Sequence, residues 1–156
     1  MRKARSLAPE WMTFLGRGAV LGALVCAVTL LPGCGGGGGG GMTGGSNIPV
    51  RTVVLQDGWS AGVFEFVLWE GTVSGSGTLD GTVQWTFASN DVDLAVSDTT
   101  CTEAAFPFCT FLAEATSTTA KPERVSLTVS AGTYRFWVLN LGPERESGTL
   151  EIGLTN

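Results

Sequence analysis

Histidine is absent from this 156-residue sequence, and charged residues make up only 15% of it. Without an imidazole the chain has no Ser-His-Asp or Cys-His nucleophile system, no histidine general base and no His-ligated zinc site. The formal net charge of -5 argues against binding of nucleic acid, which is recognised through basic patches. An enzyme is therefore the least favoured hypothesis.

The first 33 residues have the layout of an export signal. Four of the nine Lys and Arg residues lie in the first 17 positions, and a largely apolar, uncharged stretch of 13 residues follows at 19–31. A membrane-spanning helix needs about 20 apolar residues, whereas a positive head and an apolar centre of about 7–15 residues are typical of a secretory signal. Met1 and Met12 are both possible starts, and Met12 gives a head of more usual length.

The apolar stretch ends in Leu30-Leu31-Pro32-Gly33-Cys34, which resembles the bacterial lipobox. The resemblance implies cleavage before Cys34 and acyl chains on its sulfur and new amino group, and two or more chains make a stable membrane anchor. In enteric bacteria a residue other than Asp after the cysteine directs a lipoprotein to the outer membrane, and Gly35 fits that rule. We therefore expect a lipid-anchored protein of the cell envelope; the alternatives are an ordinary signal peptide and an uncleaved anchor.

Residues 34–47 are predicted to be a flexible tether. They include seven consecutive glycines, Gly35–Gly41, and glycine loses the most backbone entropy on ordering. The flexible-chain estimate gives the tether an r.m.s. reach of about 20 Å. Without residues 1–33 the chain keeps five Lys and Arg against 13 acids, a net charge of -8. This charge repels anionic lipid, so the acyl anchor must provide the attachment.

Residues 48–156 are predicted to form one domain of β-strands. Apolar and polar residues alternate at 82–87, 92–97, 124–129 and 149–154, and less regular strands are expected at 52–55, 63–69 and 110–115. Alternation with a period of two places one face on a core and the other in water. Turns are expected at five pairs: Asp57-Gly58, Asp80-Gly81, Asn90-Asp91, Ala131-Gly132 and Gly142-Pro143. The glycine-rich segment 71–81 is expected to be a wide loop or a weak edge strand.

This pattern predicts an all-β fold, a two-sheet antiparallel sandwich of about seven to nine short strands, with a small closed barrel as the alternative. Four segments within 78–154 carry a family resemblance: Val83–Phe87, Asn90–Val96, Ser130–Val138 and Ser147–Ile152. They resemble the bacterial pre-peptidase C-terminal domain, which implies a jelly-roll-like sandwich. Gln84 and Gly148-Thr149 depart from the family's usual residues, and no metal ligand is carried over.

Cys101 and Cys109 are the pair that remains once Cys26 leaves with the signal and Cys34 takes lipid. Exported proteins meet an oxidising environment, so we expect a disulfide between them. Closing so short a loop stabilises the fold by about 2–3 kcal/mol.

Two sets of residues are candidate binding sites. Asp91, Asp93 and Asp98 lie within eight positions, and carboxylates in a loop are the ligands that calcium prefers. The alternative is that Asp91 caps a turn while Asp93 lies on a solvated strand face.

The second set follows from the turn at Gly132. If Tyr134, Phe136 and Val138 point inward, then Arg135, Trp137 and Leu139 point outward. An outward tryptophan can stack on a sugar or dock a partner. The alternative is that the segment in the 50s or 60s covers it, or that it pairs with a cross-strand neighbour.

Taken together, the sequence predicts a membrane-anchored lipoprotein that carries a non-catalytic binding or accessory module at the cell envelope. Its partner is the membrane, together with an unidentified envelope protein or glycan. The alternatives are a carbohydrate- or calcium-binding module and a purely structural envelope protein. A small hydrolase is disfavoured, since Glu65 and Glu70 show no sign of the defined cleft that paired carboxylates need.

Overall fold

The computed structural model describes residues 3–6 and 49–156. The predicted lipidation residue Cys34, the apolar stretch 19–31 and the tether lie outside the described residues. Within the described part of the chain, no helix has the length and apolar character needed to cross a bilayer.

The described residues form nine strands in two antiparallel sheets. One sheet has the order β1-β3-β8-β5-β6 and the other has the order β2-β9-β4-β7. Residues 49–156 supply four strands to each sheet, and β1 pairs with the outer edge of β3. The bounds are β1 Lys3–Ser6, β2 Arg51–Ala61, β3 Glu65–Val73, β4 Gly77–Trp85, β5 Val92–Asp98, β6 Ala113–Ala115, β7 Glu123–Val129, β8 Gly132–Asn140 and β9 Glu146–Thr155.

The core lies between the two sheets and follows the alternation in the sequence. Leu79 and Val83 of β4, Leu94 of β5 and Leu150 and Ile152 of β9 are all fully buried. Their polar neighbours along each strand point away from the core, as a period of two requires. The prediction of an all-β, two-sheet antiparallel sandwich is confirmed, and the closed barrel is not the fold of the described residues.

The prediction for the segment 71–81 was wrong. β3 runs to Val73 and β4 begins at Gly77, so that only a three-residue turn separates them. β4 lies between β9 and β7 and is therefore an inner strand. The glycines serve close packing: a Cβ on Gly81 would lie 2.8 Å from Val125 and 2.9 Å from Ile152.

Two of the five predicted turns were also wrong. Asp57-Gly58 lies inside β2, where Asp57 pairs with Leu150 of β9, and Asp80-Gly81 lies inside β4. Asn90-Asp91 and Gly142-Pro143 lie between strands, at the β4–β5 and β8–β9 connections, and Ala131-Gly132 spans the end of the β7–β8 turn and the first residue of β8. The predicted strand at 110–115 is shorter than expected and consists of Ala113–Ala115 alone.

The strand register defines two ends of the sandwich. At one end, Arg51 and Thr78 both pair with Thr155, and the short β3–β4 and β7–β8 turns connect the two sheets. Asp98 lies at this end too, because it pairs with Tyr134 near the start of β8. We call it the Arg51 end. The opposite end, called the Asn140 end, contains the last residue of β8.

Candidate functional site

The outer face of the five-stranded sheet is covered by residues 99–112, which we call the covering loop. It leaves β5 at the Arg51 end and returns to β6, where the Leu112 amide donates a hydrogen bond to the Val96 carbonyl. Cys101 and Cys109 form a disulfide across it with a Cα–Cα distance of 5.3 Å. The predicted disulfide is therefore confirmed.

Arg135 fixes the start of the covering loop. One nitrogen of its guanidinium group, Nη1, donates hydrogen bonds to the carbonyl oxygens of Thr99 and Cys101, both at 2.8 Å. The Nη2 atom forms a salt bridge with Glu70 at 3.2 Å. Arg135 thus lies on the outer face as predicted, but its guanidinium group binds other residues of the protein, Thr99, Cys101 and Glu70.

Beneath the loop lies a second apolar layer centred on Trp137. The Phe106 ring stacks on the Trp137 indole with centroids 5.3 Å apart, Phe66 lies at 5.3 Å and Phe111 contacts its edge at 6.2 Å. Trp137 has no exposed surface, and its Nε1 donates a hydrogen bond to Ser97 Oγ at 2.9 Å. This layer lies outside the main core between the sheets.

The predicted ligand surface is therefore not open in this structure. Trp137 and Leu139 do lie on the outward side of β8, yet both are buried, and the covering loop lies over Trp137 through Phe106 and Phe111. The strand alternation predicted the direction of the side chains but not the loop above them. One feature of the sequence could have indicated the covering loop: Phe106 lies between the two cysteines and Phe111 follows them, and both are large apolar residues that need a buried partner.

The three aspartates of the predicted metal site do not come together. Asp91 and Asp93 lie near the Asn140 end, whereas Asp98 ends β5 at the Arg51 end. Asp98 accepts hydrogen bonds from the Thr100 hydroxyl and, at 2.8 Å, from its amide, and these bonds lower its pKa. Among the described residues, no group of three or more His, Cys, Asp or Glu side chains is placed to hold a metal ion.

Asp91 and Asp93 instead share an acidic region with Glu123, the first residue of β7. Within the described residues, one carboxylate oxygen on each of these three side chains is buried and has no hydrogen-bond partner. Burial is the main cause that raises the pKa of Asp93 to about 7, and the charges of Asp91, Glu123 and Glu114 act in the same direction. Asp93 therefore titrates near neutral pH, which the sequence did not indicate.

A buried polar network closes the Asn140 end. Glu146 is almost fully buried, and its carboxylate accepts hydrogen bonds from the amides of Thr86, Phe87 and Ser147 at 2.8–3.1 Å. Asn90 Nδ2 donates to the same carboxylate at 3.0 Å. Burial raises the pKa of Glu146, but these hydrogen bonds outweigh it and the net direction is downward. Because its hydrogen bonds are all made to other parts of the fold, Glu146 has a structural role.

The outer face of the other sheet is open and polar. A shallow groove of about 280 Å³ crosses it. Arg124 Nη1 donates a hydrogen bond to Thr82 Oγ1 at 3.3 Å along one side of this groove. Amide and hydroxyl groups that point to solvent suit a hydroxyl-rich ligand. The polar side chains that line the groove are Gln56, Thr82, Gln84, Arg124, Thr149 and Glu151.

Comparison with known proteins gives little beyond the fold. No protein-family model matches the sequence, and no curated protein matches it. The structure is similar to the 1.0 Å crystal structure of the pre-peptidase C-terminal domain of collagenase from Bacillus anthracis. That similarity has a TM-score of 0.38 and 11% sequence identity over 70% of this chain and 89% of the other. We attach no functional meaning to a similarity of this size.

Proposed function

We propose that the protein is a lipid-anchored lipoprotein of the cell envelope whose β-sandwich is a non-catalytic binding module. The observation that carries this proposal is the position of Cys34, separated by two residues from the apolar stretch 19–31 and directly before seven glycines. A signal core followed by the lipobox-like residues, a flexible tether and a folded body is the order that anchoring requires. Each methylene buried in the bilayer adds about 0.8 kcal/mol of affinity, so two or more acyl chains hold the protein firmly.

The layout of the described body supports this proposal. Strands β2 to β9 all follow the predicted tether in the sequence. The sandwich does not need residues 34–47 to complete its core, since the buried cluster is built from β2 onward. In this proposal the anchor and the binding module are separate in sequence: Cys34 attaches the protein to the membrane, and the sandwich binds the ligand.

Localisation tests the anchor. The full-length protein is expressed in a bacterium, and membrane and soluble fractions are compared for the wild type and Cys34→Ala. We expect the wild type in the membrane fraction, in the outer membrane where the cell has two. The Cys34→Ala variant, which cannot be acylated, is expected to be depleted from the fraction that holds the wild type. Equal distribution of the two proteins would contradict the proposal.

The polar groove favours an envelope glycan as the ligand of the module. It is lined by side chains that donate and accept hydrogen bonds, and the groove residues Gln84 and Thr149 are directly paired neighbours on β4 and β9. We expect peptidoglycan fragments to raise the melting temperature, because a ligand at 100 times its Kd adds about 2.7 kcal/mol. Gln84→Ala with Thr149→Ala should abolish the shift, whereas Thr118→Ala in an exposed loop should keep it.

The other outcomes of this titration separate the alternatives. Calcium binding was predicted for Asp91, Asp93 and Asp98, of which Asp98 lies at the opposite end of the sandwich from the other two. It stays a prediction, and a melting shift with calcium that chelator reverses would support it. Absence of a shift with either ligand would leave a protein partner or a purely structural envelope role. Turnover of an ester or glycoside substrate would revive the disfavoured hydrolase and contradict the non-catalytic proposal.

A further inference from the structure

We propose that Phe108, assisted by Leu112, is a membrane-contact residue that docks the Arg51 end of the sandwich onto the bilayer holding the lipid anchor. This inference rests on the proposed lipid anchor. Phe108 is 89% exposed and Leu112 is 49% exposed. Phe108 and Leu112 line one depression on the surface, and exposed apolar side chains that lie together mark protein or membrane interaction sites.

The covering loop holds Phe108 in place. Two residues before it, Phe106 is stacked on Trp137 beneath the loop, and the next residue, Cys109, is in the disulfide. Arg135 binds the loop at Thr99 and Cys101. Phe108 is therefore fixed between two attachments that prevent it from folding back, and an exposed group that is ordered in advance loses little entropy on binding.

Phe108 lies at the end of the sandwich where the tether joins. Phe108, Leu112 and Thr100 line a shallow depression together with Asp98, and Asp98 belongs to the Arg51 end by its pairing with Tyr134. The chain from the tether enters β2 at Arg51 at that same end. The point at which the chain leaves the predicted tether therefore lies at the same end of the sandwich as Phe108.

The exposed apolar side chains are distributed unevenly in the described part of the chain. Val50 and Val53, which are 63% and 51% exposed, lie at the start of β2 and thus also near the Arg51 end. At the Asn140 end the corresponding residues are Val63 and Phe87, at 40% and 48%. The more exposed residues thus lie toward the end that the tether brings to the membrane.

The bilayer is the occupant that these observations favour. The predicted tether of residues 34–47, with the reach of about 20 Å expected of a flexible chain, would keep the Arg51 end at high effective concentration beside the lipid. Aromatic side chains are favoured at the membrane–water interface. The net charge of -8 without residues 1–33 removes electrostatic attraction to anionic lipid, so contact has to be made by apolar side chains.

Fluorescence quenching by lipid tests this inference on the full-length, lipidated protein. Phe108→Trp and Phe87→Trp are purified and reconstituted into phosphatidylcholine vesicles with ordinary or brominated acyl chains, and the wild type provides the signal of the native tryptophans. We expect brominated lipid to reduce the emission of the tryptophan added at 108 and not that of the one added at 87. Equal quenching of the two variants would overturn the inference.

Two controls separate the possible failures. Intact mass of the reconstituted protein shows whether Cys34 is acylated: an unacylated chain overturns the proposed function, and an acylated chain without quenching at 108 overturns this inference alone. Crosslinking from position 108 to an envelope protein in cells, without quenching by lipid, would show a protein partner and would also overturn it. Little change in the thermal unfolding of either variant is expected, because Phe108 is largely exposed and Phe87 is about half exposed.

Discussion

The Trp137 indole nitrogen donates a hydrogen bond to Ser97 Oγ at 2.9 Å, and neither residue has any exposed surface. This bond lies in a layer of aromatic residues outside the main core, between the sheet and the covering loop. The protein thus has two apolar layers, one between the sheets and one beneath a disulfide-closed loop. The second layer makes the covering loop part of the folded structure.

Ser97→Ala should destabilise the fold, because it leaves the buried Trp137 N–H group without an acceptor. An unsatisfied buried donor costs about 1–3 kcal/mol, and urea unfolding monitored by fluorescence measures this loss. Ser126→Ala, which removes an exposed hydroxyl bonded to Asp80, is the control and should change the unfolding free energy much less. A stability of the Ser97 variant equal to that of the control would contradict the account.

Opening the disulfide should loosen the covering loop without unfolding the sandwich. The Cys101→Ser, Cys109→Ser double variant is expected to lose about 2–3 kcal/mol of stability and to let water reach Trp137. The measurement is the tryptophan emission maximum together with the unfolding midpoint. A red-shifted emission with a native β-sheet circular dichroism spectrum is the expected result, and an unchanged spectrum and midpoint would show that the aromatic contacts hold the loop alone.

Asp93 should make the stability fall as the pH rises toward neutral. Its pKa is raised from 3.8 to about 7 in the folded protein, so the folded state binds a proton that the unfolded state has released. The contribution of Asp93 to the free energy of unfolding is fully present below pH 3.8 and is lost as the pH rises through about 7. Between these two values each pH unit lowers the free energy of unfolding by about 1.4 kcal/mol. Asp93→Asn should therefore be more stable than the wild type at pH 8, with little difference at acid pH.

Unfolding midpoints measured from acid to mildly alkaline pH test this prediction. Glu144→Gln, an exposed side chain in the turn between β8 and β9, is the control for the loss of one negative charge. The same pH profile for Asp93→Asn and the wild type would show that the burial of Asp93 does not govern this dependence.

Glu146 should act in the opposite direction. Its pKa is lowered by hydrogen bonds that outweigh burial, so its stabilisation is present above the ordinary value of 4.5 and is lost as the pH falls below that value. Glu146→Gln replaces one carboxylate oxygen with an NH2 group, which then faces either the Thr86 and Ser147 amides or the Phe87 amide and Asn90 Nδ2. Hydrogen bonds to a charged group are worth about 1.5–3 kcal/mol each, and this variant also removes the charge. Chemical unfolding at pH 7 should show a large loss, whereas the half-exposed Glu151→Gln should show little.

Removal of residues 1–33 should leave the sandwich folded. β1 is a four-residue edge strand, while the buried cluster is built from β2 onward. Hydrogen exchange on residues 34–156 should be faster at the backbone amides of 65–68 that face β1, and unchanged at those paired with β8. Loss of cooperative unfolding in the shortened protein would show instead that β1 is needed for the fold.

The sequence predicted the fold more fully than the candidate sites, and the reason is visible in β8. Alternation correctly placed Phe136 and Val138 on the main core, because a strand has only two faces. It had no information about what covers the second face, since the Phe106 contact with Trp137 joins residues 31 positions apart. The predicted exposure of Trp137 therefore depended on a long-range contact that no local pattern encodes.

The misplaced turn at Asp57-Gly58 has a similar physical origin. An Asp-Gly pair favours a tight turn locally, but β2 continues through it because ten residues of the strand pair with β9. The Asp57 carboxylate also accepts a hydrogen bond from the Trp69 indole at 3.1 Å on the neighbouring segment. Sheet pairing thus outweighed the local preference, as it did at Asp80-Gly81.

The chemical state of Cys34 is the most direct test of the proposed lipid anchor. Mass spectrometry of the mature protein purified from bacterial membranes identifies its first residue and any mass attached to it. The account predicts a chain that begins at Cys34 and carries acyl chains on that residue. A mature chain with a free thiol at position 34, or one that still contains residues 1–33, would contradict it.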